Sequence, residues 1–231
     1  MSEHDWLLAL DTATSTIVVA AGSPNGVVLQ SDAFEGRYRH SQELLPAVVR
    51  LLERAGLRLP ELGGVIVGTG PGVFTGLRVG LATAKTLAHE LGRPVVGIPT
   101  SEALLAGVEG ATRLWLPSGP RDRLRIDAGK APELIPGDAA GASDAAGAGD
   151  AAVERNEIAV DLDGRAPAEA LARGRAAVAA LPTSLLRLGV GRLAAGEADD
   201  PEQLVPAYAV APRGAPMTNA DEGVAWSRDP R

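Results

Sequence analysis

Thirteen consecutive residues, Gly68-Thr69-Gly70-Pro71-Gly72-Val73-Phe74-Thr75-Gly76-Leu77-Arg78-Val79-Gly80, constrain this chain more than any other stretch. They leave a short apolar strand, Val65 to Val67, cross a glycine-rich turn and enter a helical pattern. Without a Cβ, Gly68, Gly70 and Gly72 allow positive φ and close approach of bare backbone to a ligand or to another backbone. Pro71 fixes one dihedral of the turn. An ordinary strand-to-helix loop is the plainer alternative, and both readings stand at this point. The stretch is not a P-loop, because Leu77-Arg78 follows Gly76 where Lys-Ser/Thr is required. Nor is it a dinucleotide fingerprint: Gly70-x-Gly72-x-x-Thr75 lacks the third glycine, and no acidic residue closes a following strand.

The first hundred residues carry regular signals around this loop. Trp6 to Leu10 and the β-branched run Thr16 to Ala21 read as strands, and the turn Ser23-Pro24-Asn25-Gly26 leads to a third at Val27 to Gln30. An antiparallel meander is expected. Leu44, Leu45, Val48, Leu52 and Ala55 recur at helical spacing, so a helix is predicted from Ser41, its expected N-cap, to about Ala55, with Gly56 as its stop. Pro46 conflicts with the early part of that helix and should bend or delay its first turn. A fourth strand at Val65 to Val67, a helix from Thr75 to Leu91 and a fifth strand at Val95 to Ile98 complete the half. Alternation of this kind defines the class α/β. The particular order β-β-β-α-β-α-β resembles a ribonuclease H-like half, the building block of actin-like ATPases.

Beyond residue 105 the pattern weakens. Arg113 to Leu116, Leu124 to Ile126 and Glu157 to Leu162 are strand candidates, and two helices are expected at about Ala168 to Ala180 and Thr183 to Ala195. The Ala/Gly/Asp/Ser run within 138–152 buries too little apolar surface to offset its ordering entropy and reads as a mobile insertion. The resulting organisation is an N-terminal half at 1–105, a reduced C-terminal half at 106–212 and a disordered tail at 213–231.

Composition narrows the function classes. A net charge of −7 argues against unaided nucleic-acid binding, which needs clustered Lys and Arg to neutralise phosphates. With no cysteine, disulfides, thiolate zinc sites and Cys nucleophiles are excluded. The three histidines, His4, His40 and His89, form no H-E-x-x-H or H-x-x-x-H pair, and no G-x-S-x-G elbow is present, so neither a zinc peptidase nor a serine hydrolase is supported. The acidic N-terminus shows no signal-peptide pattern, and no apolar run approaches the roughly 18 residues of a bilayer span, so a soluble, cytoplasmic protein without membrane contact is expected.

Two loops and one helix carry the candidate chemistry. Asp11-Thr12-Ala13-Thr14-Ser15-Thr16 joins the first two strands. An Asp at this place holds Mg²⁺ in actin-like kinases, with hydroxyls and amides of the hairpin on phosphates; the alternative is an Asp capping a tight turn. Asp11, Thr12, Thr14, Gly70 and Gly72 are accordingly the candidate nucleotide-binding residues, functional or vestigial. The opposing hairpin such a site requires is offered only by Asp161-Leu162-Asp163-Gly164, which reads more plainly as a turn. On the following helix, Gly76, Gly80, Ala84 and Ala88 form a small-residue row that permits close approach of another element, either a partner or the parent sheet. Arg78, Lys85 and His89 lie on its other side.

Leu10 to Thr14, His40-Ser41-Gln42-Glu43-Leu44-Leu45-Pro46, the glycine string 68–80, Pro94 to Ser101, Leu193 to Pro201 and Pro206-Ala207-Tyr208 together resemble the TsaB (YeaZ) family, the accessory subunit of tRNA threonylcarbamoyladenosine synthesis. Coverage is good over 6–105, patchy over 106–180 and recovers over 183–208. The resemblance implies an actin-like ATPase fold whose C-terminal half is degenerate, no catalytic residues, no metal and no cofactor of its own, with ATP and Mg²⁺ left to the complex. It implies docking of the catalytic subunit TsaD through the helices at 41–55 and 75–91, a homodimer when alone, TsaE as a further partner, and contact with tRNA only through the complex. His40, Leu44, Leu45, Val48, Gly76, Arg78, Gly80, Ala84 and Lys85 are the docking residues so expected. The chain departs from the pattern at Val73, commonly Ser, at Val210, usually Arg, and over 113–126, where the strand pattern is displaced. A small Mg-ATP-dependent kinase using Asp11 and the 68–76 loop is the alternative, and a nuclease with clustered carboxylates around two metals ranks below it.

Overall fold

A computed structural model describes residues 5–36, 39–137 and 156–209. A five-stranded sheet is built from β1 (Trp6–Asp11), β2 (Thr16–Gly22), β3 (Val28–Glu35), β4 (Leu62–Gly68) and β5 (Val95–Ile98), in the order β3-β2-β1-β4-β5. β1, β2 and β3 pair antiparallel, as the meander predicted, while β4 and β5 add in parallel. Every residue of β1 and β4 is buried, which explains why both read as unbroken apolar runs instead of alternating ones. β3 is an edge strand with alternating exposure. Its outer half is polar (Ser31, Asp32, Glu35), so it extends past the Gln30 limit that hydrophobicity suggested.

The two faces of this sheet build two cores. Trp6, Leu8, Leu10, Ile17, Val19, Ala21, Val65 and Val67 face α1 (His40–Ala55) and α2 (Phe74–Leu91). Leu7, Ala9, Val18, Ala20, Ile66, Val96 and Ile98 face the other way, toward α3 (Thr100–Ala106), α4 (Ala168–Ala194) and the second sheet. The period of two along β1 and β2 therefore sorts side chains between two layers. α1 begins at His40, with Arg39 at the cap position and Ser41 already inside the helix, so Ser41 is not the N-cap. Pro46 does not delay the first turn; the helix runs through it on its exposed side. Gly56 ends it in the left-handed region, φ 65°.

The second sheet has the order β8-β7-β6-β9, from β6 (Arg113–Ser118), β7 (Asp122–Asp127), β8 (Glu133–Ile135) and β9 (Glu157–Ala159). Arg113 ties three of its strands, bonding Asp127 at 2.6 Å and Glu157 at 2.9 Å. β8 and α3 were not foreseen. The low-complexity run within 138–152 and the tail 213–231 lie outside the described residues.

One helix, α4, replaces the two expected from Ala168 onward. Pro182 lies inside it, and Leu181, Leu185 and Leu186 continue one buried stripe across the proline. By length and composition α4 is apolar enough to cross a bilayer, contrary to the expectation that no stretch would be. Its apolar stripe instead packs within the chain. Gly174 lies against the Ala159 carbonyl of β9 and Gly189 against Ile66 of β4, so α4 joins both sheets.

From Glu197 to Tyr208 the chain straps the free edge of β5. Asp199 bridges Val95 and accepts the Gly97 amide at 2.7 Å, and Arg192 bonds both Asp199 oxygens at 3.0 Å and the Gly97 carbonyl at 2.8 Å. Covering an edge strand in this way blocks pairing with other chains. A cavity of about 350 Å³ opens beside the strap, between Thr69, Arg192, Asp199 and Leu204.

Candidate functional site

Buried polar side chains locate the site. Among the described residues these are Asp11, Thr12, Thr14, His40, Thr69, Thr100 and Ser184, and all but Ser184 gather where the β1–β2 hairpin meets the glycine loop. Asp11 and Thr100 bond each other, and Thr12, Thr14 and His40 bond nearby backbone carbonyls, as burial of polar groups requires. Asp11 is fully buried; its Oδ1 accepts the Ala13 amide at 2.8 Å and its Oδ2 the Thr100 hydroxyl at 2.6 Å. Thr100 Oγ1 in turn accepts the Gly70 amide at 3.0 Å. Burial pushes the Asp11 carboxyl up to about 6, against the opposing pull of the Thr100 hydroxyl, the Ala13 amide and the charge of His40.

The glycines serve backbone contact. A Cβ on Gly68 would lie 1.7 Å from Asp11 Oδ2, one on Gly72 2.0 Å from the Ala13 carbonyl, and one on Gly76 2.0 Å from the Thr12 carbonyl. Gly70 alone of the loop needs positive φ, 103°. With those side chains absent, the Val73 amide reaches the Ala13 carbonyl at 2.7 Å and the Thr12 hydroxyl donates to the Gly76 carbonyl at 2.7 Å. Thr14 donates to the Thr16 carbonyl at 3.1 Å, and the Thr14 carbonyl meets His40 Nε2 at 3.1 Å. The candidate nucleotide residues Asp11, Thr12, Thr14, Gly70 and Gly72 are thus brought together. The three polar side chains among them, however, bond within the chain. Asp11 is 0% exposed, so neither of its oxygens faces a hydrated cation. No group of three or more His, Asp or Glu suited to a metal occurs among the described residues.

The expected docking residues divide into two sets. Leu44 and Val48 are buried in the core under α1. Gly76, Gly80 and Ala84 face inward as well; a Cβ on Gly80 would lie 2.3 Å from Thr12 Oγ1. The small-residue row therefore seats α2 on its own hairpin and is not a free surface. His40 is buried against Thr14. Leu45, 53% exposed, and Arg78 do lie outward. Lys85 is half-buried and donates to the Leu204 carbonyl at 3.2 Å.

Sequence reasoning missed three residues. Thr100 opens α3 and had no assigned role, although Pro99-Thr100 marks a helix start. Asp161, read as a turn residue, accepts both the amide and the hydroxyl of Ser15. Tyr208 reaches α2, where its hydroxyl accepts from Arg78 Nε at 3.0 Å and its ring lies 5.1 Å from that of Phe74, which Arg78 covers at 3.9 Å. Beside Leu45 on α1, Val49 is also exposed, and Val73 and Phe74 are exposed at the start of α2.

A mixed β3-β2-β1-β4-β5 sheet covered by helices, with a polar hairpin facing a glycine loop, defines an α/β protein of the actin-like ATPase type. A solved structure, YeaZ from Pseudomonas aeruginosa, superposes with a TM-score of 0.63 at 26% identity, covering 88% of this chain and 99% of that one. The TsaB biosynthesis protein of Escherichia coli is 33% identical over 111 residues, 47% of each chain, and an uncharacterized protein of Mycobacterium leprae is 39% identical over 109 residues, 46% of this chain and 30% of that one. A family model described as TsaD, tRNA N6-adenosine threonylcarbamoyltransferase, matches residues 35–132. Within the actin-like class, these findings together support the TsaB (YeaZ) family, as the motifs implied. The chain spans about half the length, or less, of these curated relatives.

Proposed function

We propose that this chain takes part in tRNA threonylcarbamoyladenosine biosynthesis as a non-catalytic subunit that docks and activates a TsaD-type transferase. The observation carrying this reading is the internal use of the hairpin's chemistry: Asp11 is wholly buried with both oxygens bonded inside the chain, and Thr12 and Thr14 donate to backbone carbonyls. Groups held this way stiffen a scaffold and leave no acid, base or nucleophile facing a substrate. The names of the E. coli and Bacillus subtilis relatives support the pathway, and the TsaD family match over 35–132 supports a catalytic partner built on a related half.

Docking is assigned to the outer faces of α1 and α2: Leu45 and Val49 are exposed on α1, Val73 just before α2, and Phe74 on α2 under Arg78. Aromatic and arginine residues with apolar neighbours are the usual composition of an energetic interface centre. Without the transferase the same faces would pair two copies of this chain, and TsaE would join the heterologous complex. Gel filtration of the purified chain with its cognate TsaD, with and without ATP and Mg²⁺, is the test. A co-eluting complex that raises threonylcarbamoyl transfer is expected. Separate elution in both conditions, or ATP turnover by this chain alone that Asp11→Asn abolishes, would overturn the reading.

A further inference from the structure

The geometry points to a latch between the two sheets: Asp161, in the turn after β9, clasps Ser15 at the tip of the β1–β2 hairpin and holds that tip in place. One carboxylate oxygen accepts the Ser15 amide at 2.6 Å and the other accepts the Ser15 hydroxyl at 2.5 Å, across 146 residues of sequence. A charged acceptor meeting two donors of one residue is among the stronger arrangements available to a polar contact. Asp161 holds φ 57°, a left-handed conformation that non-glycine residues adopt at some cost and Asp more readily than most. The next residue, Leu162, is fully buried with Ala159 and Ala170, so the turn presenting the carboxylate is anchored to the second sheet and α4. Anchor, clasp and hairpin therefore form one connection between the sheets.

The grasped residue sits at a junction. On its N-terminal side the Thr14 carbonyl meets His40 at the start of α1, and the Ala13 carbonyl accepts the Val73 amide at the start of α2. Releasing Asp161 frees the amide and hydroxyl of Ser15 and loosens the tip against both helix starts. While the clasp is closed, those two donors are taken by the chain's own carboxylate and are denied to any outside anion. The latch stands apart from the docking proposal and is read without a partner.

Hydrogen exchange on the full chain, for wild type, Asp161→Ala, Asp161→Asn, Ser15→Ala and the double variant, tests it. Exchange in peptides covering 12–16 should rise by about tenfold or more in Asp161→Ala, the size of a lost charge-assisted bond, while the interior of β4 keeps its protection. Asp161→Asn, with one accepting oxygen left, should fall between. Ser15→Ala removes only the hydroxyl arm, and combining it with Asp161→Ala should add nothing. Unchanged exchange at 12–16 in folded Asp161→Ala, or additive effects of the two substitutions, would overturn the latch. Should Asp161→Ala fail to fold, wild-type exchange in both Asp161→Asn and Ser15→Ala would overturn it equally.

Discussion

Thr100 holds Asp11: its hydroxyl donates to Asp11 Oδ2 at 2.6 Å while its oxygen accepts the Gly70 amide at 3.0 Å. One side chain therefore links the end of β1, the glycine loop and the start of α3. Thr100→Val keeps the shape, removes both bonds and leaves a buried carboxylate short of a donor. It should cost about 1.5–3 kcal/mol in urea unfolding, with Thr100→Ser recovering most of the loss. Equal stability of Thr100→Val and wild type would show that the bond is dispensable.

The raised Asp11 carboxyl has a signed consequence. Folded Asp11 releases its proton near pH 6, against 3.8 for the free group, so between those values the folded chain binds more protons than the unfolded one. Stability from this group is therefore full below about pH 4 and is lost as pH rises through 6, by an amount on the order of 3 kcal/mol. Asp11→Asn lacks the ionisation. The stability of wild type relative to Asp11→Asn should fall from pH 4 to 6 and level off above, measured by denaturant midpoints across that range. A constant difference over the range would contradict the assignment.

Gly76→Ala and Gly80→Leu should act on the fold. Their added atoms would meet the Thr12 carbonyl at 2.0 Å and the Thr12 hydroxyl at 2.3 Å, so α2 must shift from its hairpin. A loss of roughly 1–3 kcal/mol each is expected from thermal or urea unfolding of the isolated chain. Unaltered stability with weakened partner association would instead return the small-residue row to the interface.

On the outer face the expectation reverses. Leu45→Glu and Val49→Glu alter side chains that are 53% and 52% exposed, so the isolated chain should change by less than about 0.5 kcal/mol. Association with the TsaD partner should weaken by about 1 kcal/mol or more for each, read by calorimetry. Wild-type affinity for both variants would place the docking surface elsewhere.

Arg192→Ala should loosen the strap. The side chain bonds both Asp199 oxygens and the Gly97 carbonyl, beside the Asp199 contact with the Gly97 amide. Hydrogen exchange should quicken in 197–208 and at β5, and Tyr208 should lose its fixed place against Arg78. Protection as in wild type would show that the main-chain bridges alone secure the strap.

Much of the first half was legible because its signals are local. Apolar runs marked β1, β2 and β4, and glycines at 56 and 92 ended α1 and α2 in left-handed turns. α3 and β8 escaped because they are short, and short elements carry little periodicity. Two helices were expected where α4 is one, because a buried stripe on both sides of Pro182 carries the helix through that proline. At the site, the string 68–80 and Asp11, both singled out from the sequence, lie together in the fold, but the orientation of the α2 small-residue row was left open between partner and parent sheet.

By itself the sequence determined the α/β class, the antiparallel meander and the family motifs, since each follows from patterns within a few dozen residues. Only the tertiary structure decided which groups face one another: Thr100 against Asp11 across 89 residues, Asp161 against Ser15 across 146, Tyr208 against Arg78 across 130. Such pairs leave no periodic trace along the chain. They arise when separately specified strands and helices pack, and burial then requires every polar group enclosed between them to find its partner.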